Sequence, residues 1–140
     1  MGSFKIIDTT ADIGIIAFGK NLEDLFVEAA KGCFYIMYRE IGGEFNLNFE
    51  KEVKVEGIDL EELMVNWLNE LIYLNEVEEI IPIEINIKLS KNEIFSLNGV
   101  LKTQKNLKLK KIIEIKAVTF HKMKIKKEKN IWKAFIIFDI

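Results

Sequence analysis

The sequence has few of the residue types that build common functional sites. Among its 140 residues there is one cysteine, one histidine and one proline. A single cysteine, Cys33, excludes an internal disulfide and any multi-cysteine zinc site, and a single histidine, His121, excludes a histidine-rich metal site. Any metal ion bound by this chain must therefore be held by oxygen atoms, which favours hard ions such as calcium, magnesium or manganese.

Several longer sequence signals are also missing. No apolar run approaches the roughly 20 residues that a membrane-spanning helix needs, and "MGSFKIID" lacks the apolar centre of a signal peptide. There is no glycine-rich phosphate loop, no dinucleotide-binding turn and no Gly-Xaa-Ser-Xaa-Gly elbow. We therefore expect a cytoplasmic protein that makes no use of a membrane and is not an enzyme by itself.

The charges divide unevenly along the chain. Residues 1–70 carry six Lys/Arg and 14 Asp/Glu, whereas residues 71–140 carry 14 and eight. One interpretation is that lysines coat exposed strands and prevent their aggregation. The other interpretation is functional: the chain is a small RNA-binding module or chaperone that uses the lysine-rich C-terminal half, including residues 102–111. Against it, the sequence shows no basic platform interleaved with exposed aromatic residues.

The apolar pattern predicts one domain over residues 1–140. Helical spacing predicts amphipathic helices over 21–38 and 59–75, capped by Asn21 and Asp59. Cys33 and Trp67 lie within the apolar stripes and are predicted core residues. Strands are predicted over the following segments: 4–8, 12–18, 48–56, within 80–90, 93–103, 112–125 and 131–140, the last two joined through "KKEKN". This order predicts an α+β fold with two helices packed on a mostly antiparallel sheet.

Carboxylates are the remaining candidates for chemistry. Asp8 and Asp12 flank a turn in "DTTADIG", and Asp139 closes the apolar strand "FIIFDI" next to the α-carboxylate of Ile140. Negative charges brought together at a chain end repel one another unless a cation lies among them. On the residues alone, Asp12 is better explained as a turn former that bonds its own backbone, and Asp139 as a solvated chain end.

Three stretches resemble one known family. They are "TADIGIIAFGKNLEDLFVEAAKGCF", "DLEELMVNWLNELIYL" and "IKAVTFHKM" followed by "AFIIFDI". Together, and in this order, they are similar to the archeases, small proteins that assist RtcB-type RNA-splicing ligases. The resemblance covers nearly the whole chain, and it depends on three blocks in register rather than on any one of them.

The resemblance implies a function and a site. It implies a non-catalytic activator that promotes guanylylation and multiple turnover of an RtcB-type tRNA-splicing ligase, and that meets RNA indirectly, through this partner. It also implies a divalent-metal site, for calcium, manganese or magnesium, made by Asp12, Asp139 and the α-carboxylate of Ile140. Asp8 is then a neighbour of the site rather than a ligand. Lys116 is a secondary candidate for contact with the ligase.

The sequence departs from the archease pattern in two places. The family usually has histidine before the threonine of the first block, where this chain has Thr9. The segment before "IKAVT" reads "GVLKTQKNLKLKKIIE", with fewer acidic residues and more lysine than is usual. The first departure removes an imidazole from the predicted site, and the second predicts different partner chemistry if that segment touches the ligase or RNA.

Overall fold

The computed structural model of the protein describes residues 2–8, 12–39 and 41–140. Thr9 lies outside these ranges. The described residues form eight strands and two helices. In chain order they are β1 (Ser3–Asp8), β2 (Ile13–Gly19), α1 (Leu22–Tyr38), β3 (Phe49–Gly57), α2 (Leu60–Glu78), β4 (Glu84–Lys91), β5 (Phe95–Thr103), β6 (Ala117–Val118), β7 (Lys124–Glu128) and β8 (Ile131–Asp139).

The strands of the described residues form two sheets, and every pairing between them is antiparallel. The three-stranded sheet has the order β3-β5-β4, and the five-stranded sheet is built on the order β1-β2-β8-β6. In the five-stranded sheet, β8 is central: one edge pairs with β2, and the other pairs first with β7 and then with β6. The prediction of an α+β fold is confirmed, with the strands divided between two sheets.

Both helices begin where the sequence predicts. The Asn21 side chain accepts a hydrogen bond of 2.8 Å from the Asp24 backbone amide, and Asp59 accepts one of the same length from that of Glu62. These caps satisfy amides that have no partner inside the helix. The Glu62 carboxylate accepts from the Ile58 amide at 3.2 Å, so the reciprocal bond of the capping box forms one residue before the cap.

The core lies where the two helices meet both sheets. Helix α1 contacts β1, β2, β8 and β4, and α2 contacts β3, β5, β6 and β7. Trp67 is fully buried, and its indole nitrogen donates to the backbone carbonyl of Phe26 at 3.0 Å, which links α2 to α1. Cys33 is also fully buried, and this burial raises the pKa of its thiol far above the usual range. Both predicted core residues are confirmed.

The single strand predicted over 112–125 is wrong. Only 117–118 and 124–128 are strands there, and both run along the same edge of β8. Val118 pairs with Phe138 and Lys124 pairs with Phe135, so five residues on one strand span two residues on the other. The longer of these two segments, residues 119–123, forms a turn in which the backbone of Lys122 adopts a positive φ of 56°.

The predicted connection through "KKEKN" is also too long. Residues 126–128 belong to β7, and the turn to β8 consists of Lys129 and Asn130, with φ values of 50° and 65°. Two successive left-handed residues are typical of the tight hairpin turn whose twist matches that of its flanking strands.

The other strands begin and end within a few residues of their predicted bounds. Pro82 lies before β4, where its missing amide removes no bond from the sheet.

Neither helix in the described residues is long and apolar enough to cross a membrane.

Replacing Trp67 by phenylalanine tests the link between the helices. The variant loses the hydrogen bond to Phe26 and leaves a small cavity, so we expect it to lower the free energy of unfolding by about 2 to 3 kcal/mol. Urea denaturation measures this change. Tyr73→Phe, on an exposed position of the same helix, should change it by less than about 0.5 kcal/mol; equal effects of the two substitutions would contradict the assigned role of Trp67.

Candidate functional site on the outer face of the five-stranded sheet

The five-stranded sheet has a core face and an outer face, and strand alternation assigns each residue to one of them. In β2, Ile13, Ile15 and Ala17 are buried in the core. Gly14, Ile16 and Phe18 therefore belong to the opposite side. We call this side the outer face; it comprises the even-numbered residues of β2 and the residues directly paired with them.

The register of β2 and β8 brings Asp12 and Asp139 to the same end of the outer face. Ile13 pairs with Phe138 and Gly14 pairs with Ile137. Asp12 and Asp139 are each one residue beyond the Ile13–Phe138 pair, so continuing the register sets them opposite each other. Asp139 is exposed and Asp12 is partly buried. The register thus puts the two residues that the sequence singles out at the same end of one sheet face.

Gly14 allows close approach of the strands beside this pair. A Cβ atom added at Gly14 would lie 2.3 Å from the Ile136 carbonyl oxygen and 2.9 Å from a methyl carbon of Ile137. Any larger residue would force β2 and β8 apart two residues from Asp12. This close approach of the strands explains why the residue at position 14 is glycine.

The other two predicted residues at this end are placed differently. Asp8 pairs with Ile13, so it shares the face of Ile13 and lies on the opposite side of the sheet from the Asp12–Asp139 pair. Its predicted role as a neighbour of the site stays a prediction. Ile140 follows Asp139 directly, and its side chain is 53% exposed.

The carboxylates do not form a complete metal site by themselves. Among the residues that the structure describes, no three side chains of histidine, cysteine, aspartate or glutamate lie together in a way that could hold an ion. Calcium takes six to eight oxygen ligands and magnesium six. A divalent ion at Asp12 and Asp139 would therefore need further oxygens from the α-carboxylate of Ile140, from water or from a partner.

Asn69 fixes the short strand next to Asp139. Its side-chain amide donates to the carbonyl of Val118 at 3.2 Å, and its side-chain oxygen accepts from the Val118 amide at 2.7 Å. This bidentate pair attaches β6 to α2, and β6 in turn pairs with the last residues of β8. Asn69 is not among the site residues predicted from the sequence. The sequence feature that could have identified it is an asparagine, a poor helix former, in the middle of an amphipathic helix.

Lys116 lies beside the same end, though not as predicted. Its backbone amide donates to the carbonyl of Asp139 at 2.8 Å, and its side chain is exposed. It precedes β6 rather than lying inside the single strand predicted over 112–125. Its position next to Asp139 nevertheless keeps it a candidate for partner contact.

The linear sequence shows no basic platform interleaved with exposed aromatic residues, but the fold brings lysines together with partly buried phenylalanines on the outer face. On the outer face, Ile16 pairs with Phe135 between Lys5 on β1 and Lys124 on β7. The next row on this face, two residues further from Asp12 along β2, contains Ser3, Phe18, Lys133 and Lys126. The lysines and phenylalanines come from four strands that are far apart in sequence, which is why their interleaving is not visible in the linear pattern.

The lysine-rich segment 102–111 is partly neutralised. Lys108 forms an ion pair of 2.8 Å with Glu79, and hydrogen bonding and charge from Lys108 lower the pKa of that carboxyl below its usual value. Lys102 lies within 4 Å of both Glu50 and Glu84. Within the described residues, these pairs offset part of the charge that made the segment a candidate surface.

The whole sequence matches one protein family. A sequence model described as the Archease protein family (MTH1598/TM1083) matches residues 4–140. The chain belongs to the archease family. The archease of Methanosarcina barkeri is 36% identical over 143 residues, which cover 98% of this chain and 95% of that protein. The archease of Pyrococcus abyssi is 33% identical and is aligned over the full length of both chains.

Solved structures agree with this assignment. The solution structure of protein 1598 from Methanobacterium thermoautotrophicum superposes with a TM-score of 0.82 at 31% identity, covering 98% of both chains. A crystal structure from Thermotoga maritima, described as an archease and possible chaperone, gives a TM-score of 0.58 at 23% identity, and this likeness shows the shared fold alone. The archease fold therefore places Asp12 and Asp139 at the same end of the outer face.

Replacing Asn69 by alanine tests how β6 is held beside Asp139. The Val118 amide and carbonyl both lose their partner, so we expect the free energy of unfolding to fall by about 1 to 3 kcal/mol. Amide hydrogen exchange at 116–118 should accelerate. Asn66→Ala removes a 2.7 Å bond from the same helix to Glu56 of the other sheet, and should leave exchange at 116–118 unchanged. Unchanged exchange in Asn69→Ala would show that β6 is held by other contacts.

Proposed function

We propose that this archease-family protein is a non-catalytic activator of an RtcB-type tRNA-splicing RNA ligase. In this proposal it promotes guanylylation and repeated turnover of the ligase, and it acts through a divalent ion at the Asp12–Asp139 end of the outer face. The observation that carries the proposal is the register of β2 and β8, which brings these two carboxylates to one end of one face. Family membership supplies the expected partner.

The donor atoms at this end fit a hard divalent ion. Asp12, Asp139 and the α-carboxylate of Ile140 offer only oxygen, which calcium, magnesium and manganese prefer. Their negative charges repel one another when no cation is present, so binding an ion relieves that repulsion. Since no third acidic or histidine side chain joins them in the described residues, this chain offers an incomplete set of ligands.

An incomplete set of metal ligands suits an activator better than a protein that stores metal ions. When bound, a divalent ion supplies positive charge that can neutralise phosphate and carboxylate oxygens. The partner's own groups would complete the coordination, and Lys116, exposed beside Asp139, would lie at the contact. Asn69 and the β6–β8 pairing keep Asp139 in position.

The chain's own side chains support a non-catalytic role. The one cysteine is fully buried with a raised thiol pKa, so it stays protonated and out of reach of substrate. The one histidine, His121, is exposed in the turn after β6. The chemical step is therefore assigned to the ligase.

Asp12→Asn and Asp139→Asn test the carboxylate site, because each keeps the shape of the side chain and removes one negative charge. A saturating ion, at about 100 times its dissociation constant, stabilises the folded state by about 2.7 kcal/mol. For a chain of this size the melting temperature should then rise by roughly 5 to 10 °C. We expect either variant to lose most of this rise with manganese or calcium, and to lose ligase guanylylation in a time course with the cognate ligase.

The matched control is Asp8→Asn, which makes the same chemical change at the same end of the sheet but on its other face. It should keep both the thermal shift and the activation. A neutral extension after Ile140 tests the α-carboxylate, since the group becomes an amide; it should reduce metal binding. An Asp12→Asn protein that activates guanylylation normally would overturn the proposal.

A further inference from the structure

The outer face carries an open groove at the end away from Asp12 and Asp139. The groove has a volume of about 460 Å³. Its floor is apolar and formed by Ile16, Phe18 and Phe135, all only partly buried. Its rim is lined by five lysines: Lys5, Lys122, Lys124, Lys126 and Lys133. The groove therefore combines aromatic rings with positive charge from four neighbouring strands.

The positive charge of this rim is only partly balanced by nearby acids. Glu128 lies within 4 Å of Lys126 and Lys133, and these two lysines lower the pKa of its carboxyl. In the part of the chain that the structure describes, Lys5, Lys122 and Lys124 have no ion-pair partner. The groove thus keeps a net positive charge that favours a polyanion.

The phenylalanine rings lie among the lysines rather than apart from them. The ammonium groups of Lys5 and Lys133 are each 5.8 Å from the centre of the Phe18 ring. Phe135 pairs directly with Lys124 across the strands. These lysine side chains are flexible, so they can turn towards phosphate groups while a flat base takes their place on the ring.

We propose that this groove binds single-stranded nucleic acid, with bases stacked on Phe18 and Phe135 and phosphates held by the surrounding lysines. Aromatic residues on a sheet face that stack two or three bases are a recurring way to bind single strands, and a basic surround supplies affinity without sequence preference. A peptide of aspartate and glutamate would satisfy the lysines, but it has no flat rings to stack on the partly buried phenylalanines. The proposal does not depend on the ligase.

Binding of fluorescent ten-nucleotide single strands of RNA and DNA, measured by anisotropy over a range of salt concentrations, tests the proposal on the full chain alone. Phe135→Leu keeps an apolar side chain and removes the ring, so it should weaken binding at least about fivefold. Lys5→Gln combined with Lys124→Gln should make the slope of log binding constant against log salt concentration shallower, by about 0.7 for each phosphate that the lysines no longer neutralise.

The other sheet supplies matched controls. Phe95→Leu removes a ring that also lies beside a lysine, with Lys91 at 5.0 Å. Lys54→Gln combined with Lys88→Gln removes two charges from the exposed face of the three-stranded sheet. Both should leave binding within twofold of the unmodified protein. Retained native circular dichroism in all four variants would show that they fold.

The outcomes separate stacking from simple charge attraction. Binding of either single strand that is lost with Phe135→Leu and kept with Phe95→Leu supports the proposal. Failure to bind either strand at low salt overturns it, as does binding that responds equally to both pairs of variants. Displacement of the strand by an equal charge concentration of polyglutamate would also overturn it, because the groove would then be a docking site for acidic protein.

Discussion

The antiparallel pairing of β2 with β8 is the constraint on which both features of the outer face depend. With Ile13 opposite Phe138, the residues of β2 and β8 that face the helices are all apolar, and the residues between them face outward. A slip of one residue would turn Ile13, Ile15 and Ala17 to the outside and bury Asp12 and Phe18. The buried face therefore fixes the register, and the register places the carboxylates opposite each other.

The same pairing arranges two different surfaces along one side of the sheet. Asp12 and Asp139 occupy one end, and the row of Lys5, Ile16, Phe135 and Lys124 lies four residues further along. At about 3.4 Å per residue, the two are separated by roughly 14 Å. An acidic end that suits a cation and a basic groove that suits a polyanion are thus held at a fixed distance by a single sheet. A partner that binds both nucleic acid and a metal ion would meet both on this side.

Much of the fold follows from local signals in the sequence. The caps at Asn21 and Asp59 and the apolar stripes through Cys33 and Trp67 predict the helices because these signals lie within a few residues of one another. Membership of the archease family, inferred from three blocks, is confirmed by the match over residues 4–140 and by the shared fold.

What the sequence cannot show depends on contacts between distant segments. The break at 119–123 arises because β6 and β7 pair with different parts of β8, and a periodicity within one segment does not reveal this. The role of Asn69 depends on Val118, 49 residues away. The basic aromatic groove takes residues from four strands, so no single stretch of sequence contains it.

The central claim is that a divalent ion binds between the ends of β2 and β8, and paramagnetic broadening tests it most directly. Manganese added in small amounts to ¹⁵N-labelled protein broadens the amide signals of residues nearest the bound ion. The account predicts that the signals of Ile13, Ala117, Phe138 and Asp139 broaden first, and that calcium in excess restores them. Broadening that begins instead at the acidic first turn of α2, around Glu61 and Glu62, or that spreads evenly over the acidic surface, would contradict it.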